Sequence, residues 1–144
     1  MIGSRVHGTA VAIDGRGVLI VGPSGSGKSD LALRLIDRGA RLIADDQVEL
    51  EACDGVLRAC ALATIHGRME VRGIGLIDVD AGSAAIALVV DVGTPPDRMP
   101  EPRVQKLEGV AVPLVALSPF DASAPIKVEL ALKRFGLPLE GAPS

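Results

Sequence analysis

The stretch Gly22-Pro23-Ser24-Gly25-Ser26-Gly27-Lys28-Ser29 constrains this chain more than any other. It follows a continuous apolar run, Val18-Leu19-Ile20-Val21, and precedes a helical pattern beginning at Asp30. The order G-x-x-x-x-G-K-S between a strand and a helix is the condition a phosphate-binding loop must satisfy. Its glycines allow a tight turn that aims successive amides into one concavity. The helix that follows adds unpaired N-terminal donors and the positive end of its dipole. In such a loop Lys28 reaches the terminal phosphates and the Ser29 hydroxyl ligates Mg²⁺. The spacing therefore predicts a chain that binds nucleotide or phosphate.

The rest of the chain reads as α/β. Residues 5–13 alternate as a half-buried strand, with Val6, Gly8, Ala10 and Ala12 on one face and Arg5, His7 and Thr9 on the other. A turn at residues 14–17 joins it to the apolar run as a hairpin. Leu31 and Leu35, with Ala32 and Ile36, mark one face of a helix over 29–38, with Asp30 in its first turn and Gly39 as its stop. A short strand, Arg41-Leu42-Ile43-Ala44, ends in Asp45-Asp46, and residues 47–51 continue as strand or turn. Further strands are expected over 56–65, after the Asp54-Gly55 turn, and over 84–92, 104–108 and 112–117. The 84–92 strand is apolar enough to be buried on both faces. Residues 93–102 hold four prolines and read as a mobile loop. A last helix is expected over 125–135, stopped by Gly136, with 137–144 as a frayed tail. One domain over residues 1–144 accounts for the pattern, long enough for a substantial core.

Composition narrows the partners. Phe120 and Phe135 are the only aromatic residues, so stacking platforms for single-stranded nucleic acid are missing. A net charge of −3 offers no field for nucleic acid or an anionic membrane. No run has the length of a membrane span, and no secretory signal is apparent. Cys53 and Cys60 lack metal-ligand spacing and read as reduced thiols of a cytoplasmic protein.

A strand, a helix and a second strand suggest a right-handed crossover to a parallel neighbour. Asp45-Asp46 then ends its strand on the edge where Gly22 ends its own, which is where open α/β sheets bind ligands. Phosphoryl transfer needs positioning, charge neutralisation and a group that orients or deprotonates the acceptor. An aspartate at that edge can ligate Mg²⁺ or take a proton from a hydroxyl acceptor. His7, Glu70 and Arg98 are undecided by spacing: each is equally an ordinary surface residue.

Together these segments resemble the catalytic domain of bacterial HPr kinase/phosphorylase, which phosphorylates a serine of HPr, the small carrier of the phosphotransferase system. The resemblance is carried by Val6-His7-Gly8, the loop 22–29, Gly39 through Asp46, and Glu70-Val71-Arg72-Gly73-Ile74-Gly75-Leu76-Ile77-Asp78-Val79, and it spans about residues 5–136. It implies an α/β phosphate-loop domain with a mixed β-sheet and few helices, akin to that of phosphoenolpyruvate carboxykinase and usually hexameric. It also implies ATP and Mg²⁺ as cofactors and an HPr-like phosphocarrier as partner. Carried over by position, Lys28 is the loop lysine and Ser29 a Mg²⁺ ligand. Asp46 is the base for the acceptor serine, while Asp45 supports metal and phosphate. His7 is the active-site histidine, Glu70 the second Mg²⁺-linked carboxylate, and Arg98 the match for the catalytic arginine. Two departures stand out. The chain starts almost at the His7 strand, as in a form with the catalytic domain alone. No arginine stands in residues 119–124, where the family's dephosphorylation-linked arginine falls. The resemblance thus implies kinase activity more than phosphorolysis. Two alternatives remain: a small-molecule kinase with the same loop, and a nucleotide-sensing binding module. The shortened segment before Arg98 keeps the second open.

Overall fold

Two strands that are apolar on both faces force the chain to cover a sheet from both sides. They are β3 (Arg16–Val21) and β9 (Ala84–Asp91), which pair in parallel at the centre of a mixed sheet. The computed structural model describes residues 2–62, 67–79, 81–99 and 101–139. Around the central pair lie β1 (Ile2–His7), β2 (Thr9–Ile13), β4 (Arg41–Ala44), β5 (Gln47–Cys53) and β6 (Val56–Cys60). They run in the order β1-β5-β6-β9-β3-β2-β4. The start of β9 pairs with β6, and its end pairs in parallel with β11 (Val110–Ala116), which carries β10 (Arg103–Leu107) on its outer edge. A separate hairpin joins β7 (Arg68–Val71) to β8 (Gly75–Asp78). The described residues contain two helices, α1 (Lys28–Asp37) and α2 (Ala124–Phe135).

The period of two divides the core. Val18, Ile20, Leu88 and Val90 face the helices, where they meet Leu31, Leu35, Val128 and Leu132. Leu19, Ile86 and Val89 face the opposite way, onto Ile43, Val48, Leu50, Leu57 and Val112. Hairpins β2–β3 and β5–β6 close on the Asp14-Gly15 and Asp54-Gly55 turns, all four residues at positive φ, the twist that suits right-handed strand pairs.

Three expectations change. The strand expected over 5–13 is two strands: β1 pairs with β5, whereas β2 pairs with β3 and β4. The break falls at Gly8, whose amide donates to the Asp46 carbonyl at 3.1 Å and where a Cβ would lie 2.8 Å from the Ile20 carbonyl oxygen. The strand that follows α1 does not neighbour β3, because β2 lies between them. Two antiparallel steps nevertheless leave β4 pointing the same way as β3, so both end at one edge. The expected tail is tied down at its start: the Leu137 amide donates to the Ala87 carbonyl and its own carbonyl accepts from Arg16. Residues 140–144, and 63–65 of the strand expected over 56–65, lie outside the described residues. Among the described residues no helix is long and apolar enough to cross a membrane.

Both cysteines are free thiols, Cys53 exposed and Cys60 partly covered. Burial, with the nearby Glu49 and Glu51 carboxylates, raises the Cys60 thiol above its ordinary range. Since the thiolate is the reactive form, alkylation with iodoacetamide at pH 8, followed by mass spectrometry, should modify Cys53 before Cys60. Leu88 is fully buried between β3 and the helices. Leu88→Ala should cost about 2–5 kcal/mol in urea unfolding, against within about 0.5 kcal/mol for Val104→Ala on the exposed edge.

Candidate active site at the sheet edge

Residues 22–27 link β3 to α1, and the helix begins on Gly27, which takes a left-handed φ of 96° open chiefly to glycine. No side chain caps this end, so the first helical amides remain open donors beside the loop. The Ser26 amide closes a turn onto the Pro23 carbonyl at 3.1 Å. The Ser26 hydroxyl is buried and has no partner. Lys28 is only 7% exposed, and its Nζ donates to the carbonyls of Gly22 and Pro23, both at 2.8 Å. An ammonium carries three donors, so two fix the group against the loop while it keeps capacity for one more acceptor. Open amides, an orphaned hydroxyl and a buried cation form a cradle suited to phosphate oxygens.

The acidic pair divides by one residue. Asp45 turns inward, where its Oδ1 accepts from the Ser29 hydroxyl at 2.7 Å and from the Thr9 hydroxyl at 3.0 Å. Asp46 turns outward with its side chain 73% exposed, its Oδ1 3.5 Å from His7 Nδ1. The Asp46 backbone sits at φ 72°, an uncommon conformation for a residue with a side chain, of the kind that collects at functional sites. The other ring nitrogen of His7, Nε2, lies 3.4 Å from the Ser24 hydroxyl. His7 therefore bridges the outer aspartate and the glycine-rich loop.

Ser29 Oγ and Asp45 Oδ1 are hard oxygen donors held together, a pair that fits Mg²⁺, which takes one or two protein ligands and completes its shell with water and phosphate. Among the described residues no cluster of three or more His, Cys, Asp or Glu could hold a metal. Glu70 is exposed on β7 opposite Leu76, and among the described residues no hydrogen bond or ion pair joins it to the loop or the aspartates. Its neighbours in the pleat, Met69 and Ile77, anchor the hairpin in the core, so the alternation turns Glu70 outward. Arg98 is exposed in the loop after β9. The structure thus brings together His7, Lys28, Ser29, Asp45 and Asp46, and among the described residues no hydrogen bond or ion pair joins Glu70 or Arg98 to them.

Several residues at the edge carry no local signal. Thr9 reaches Asp45 only because β2 lies between β3 and β4. Asp91, the register partner of Val21, accepts from the Gly93 amide at 2.8 Å and the Thr94 hydroxyl at 2.7 Å, which fixes the start of the loop that bears Arg98. An acid that ends a fully apolar strand was the available sign of it. Phe120, after β11, borders Gly27: a Cβ there would lie 3.1 Å from the ring.

The model of the HPr serine kinase C-terminal domain family matches residues 2–89, more than half of the chain. The HPr kinase/phosphorylase of Clostridium novyi is 51% identical over 78 residues, which cover 54% of this chain and 25% of that protein. The HPr kinase/phosphorylase of Clostridium kluyveri is 44% identical over 92 residues, covering 62% of this chain and 30% of that protein. The matched stretches thus span between a quarter and a third of these curated relatives' own length. The solved structure of the Hpr(Ser) kinase/phosphatase from Coxiella burnetii shares the fold with a TM-score of 0.78 at 28% identity, over 90% of this chain and 94% of that one. On sequence and on fold, the chain belongs to the HPr serine kinase C-terminal domain family.

Proposed function

We propose that the chain is an ATP- and Mg²⁺-dependent serine kinase that phosphorylates HPr or an HPr-like phosphocarrier, in the cytoplasm. The observation that carries this reading is the 2.7 Å hydrogen bond from Ser29 to Asp45 at the mouth of the glycine-rich loop, with the outward Asp46 one residue further on. In this reading the loop is a phosphate loop of the kind seen in phosphoenolpyruvate carboxykinase-like domains. The amides of the loop and the first turn of α1, with the free donor of Lys28, take the β- and γ-phosphates. Ser29 and Asp45 hold Mg²⁺, which neutralises phosphate charge when bound. Asp46 accepts the proton of the acceptor serine as its oxygen bonds to the γ-phosphorus, and the bond from that phosphorus to the leaving oxygen of ADP breaks. Exposure of the Asp46 side chain lets that proton pass on to water. His7, beside Asp46 and Ser24, orients the outer carboxylate against the loop. Arg98 and Glu70 would join from their own segments on substrate binding. Phosphorolysis is left out of the proposal, since residues 119–124 contain no arginine.

A second reading, a nucleotide-sensing module without transfer, draws on one observation: Glu70 and Arg98 are exposed, and among the described residues no hydrogen bond or ion pair ties them to the cluster. Label transfer separates the two. With γ-labelled ATP and Mg²⁺, the kinase reading predicts label on a serine of a purified HPr-type protein, whereas the sensing module predicts ATP binding with an unlabelled carrier. Asp46→Asn should lower transfer about 10²–10⁴-fold, the usual worth of a general base, while ATP affinity holds in calorimetry. Undiminished transfer by that variant would remove Asp46 as the base.

A further inference from the structure

Phe120 is a large apolar side chain that packing does not explain. It is one of two aromatic residues in the chain, and the other, Phe135, packs against the core. Phe120 instead stands 72% exposed at the active edge. Its ring borders Gly27, the residue on which α1 begins, and Pro119 borders the same position. Burial cannot be what keeps a large apolar ring there.

The backbone that presents the ring is held from both sides. Arg34, on α1, donates to the carbonyl of Pro119 and, at 3.1 Å, to the carbonyl of Asp121. Arg34 is itself paired with Asp30 at 3.1 Å, one turn earlier on the helix. Asp121 pairs with Lys127 at 3.3 Å, and its carbonyl accepts the Ala124 amide at the start of α2. The residues on either side of Phe120 are therefore fixed to the two helices while the ring is left free. A rigid aromatic surface loses little conformational entropy when a flat partner covers it.

We propose that Phe120 is the stacking platform for the base of the nucleotide whose phosphates occupy the glycine-rich loop. The inference rests on the nucleotide-binding reading above and adds the subsite for the nucleoside. A nucleotide held by its β- and γ-phosphates extends its sugar and base out of the loop, and an exposed ring at the loop's own helix cap is placed to meet that base. The pairing needs only a π-face, so Phe120 supplies affinity for a base without choosing among bases. It is a binding residue and touches none of the reacting atoms.

Calorimetry with two probes, Mg²⁺-ATP and Mg²⁺ with inorganic tripolyphosphate, tests this on the whole chain. Both offer phosphates, and only ATP offers a base. Phe120→Ala should weaken ATP about tenfold or more, the scale of a lost stacking contact, and leave tripolyphosphate affinity unchanged. Equal losses for both probes, or no loss for either, would overturn the proposal. So would a variant that binds ATP normally but has a raised KM for the acceptor protein, which would make the ring a docking point for the carrier. If the unaltered chain binds neither probe, the nucleotide reading fails and the proposal with it. Since the chain has no Trp or Tyr, Phe120→Trp places a lone indole at the site. Its fluorescence should be quenched by ATP and unaffected by tripolyphosphate; quenching by both alike would count against stacking.

Discussion

The hydrogen bond from the Ser29 hydroxyl to Asp45 ties the first turn of α1 to the end of β4. The arrangement of the acidic pair at this edge depends on that closure. Thr9 adds a second hydroxyl to the same carboxylate oxygen, so Asp45 also gathers the start of β2. Three elements thereby converge on one oxygen atom. A carboxylate fixed in this way leaves its neighbour in sequence turned to the opposite side, which puts Asp46 beside His7. The one-residue step separates a carboxylate held by two hydroxyls from an exposed carboxylate beside His7 without a second strand. The left-handed backbone at Asp46 belongs to this arrangement, because its carbonyl must also receive the Gly8 amide where β1 gives way to β2.

Much of this was legible wherever the signal is local. The residues 22–29 carry their own turn chemistry, and the apolar runs of β3 and β9 announce burial on both faces. The edge shared by Gly22 and Asp45-Asp46 follows from strand direction, and direction survives even though β2 comes between β3 and β4. What the sequence hides is long-range pairing. Alternation runs through Gly8 without interruption, and the break shows only in the pairing, where the Gly8 amide turns to the Asp46 carbonyl. The Thr9–Asp45 bond is equally silent, because a threonine in a strand usually reads as a surface position. Leu137 looked like the start of a loose tail because its anchor, the carbonyl of Ala87, belongs to the central strand rather than to a neighbouring residue.

The segment after β11 is anchored from a neighbouring helix. Residues 119–124 contain no arginine, and the guanidinium found against them comes from Arg34 on α1. A positive group that reaches into this turn from the helix holds backbone carbonyls, so it is committed to structure rather than to a phosphate. The turn held in this way leaves Phe120 exposed beside the loop. The shape of this turn and the geometry of the acidic pair are held by different contacts, although both involve α1.

The most direct test of the division between the two aspartates is the Mg²⁺ dependence of ATP affinity, measured by calorimetry in Asp45→Asn and Asp46→Asn. Asp45→Asn should lose most of the gain in affinity that Mg²⁺ confers, while Asp46→Asn keeps it in full. Equal Mg²⁺ dependence in the two variants, or its loss in Asp46→Asn alone, would contradict the assignment of one aspartate to the metal and the other to the acceptor.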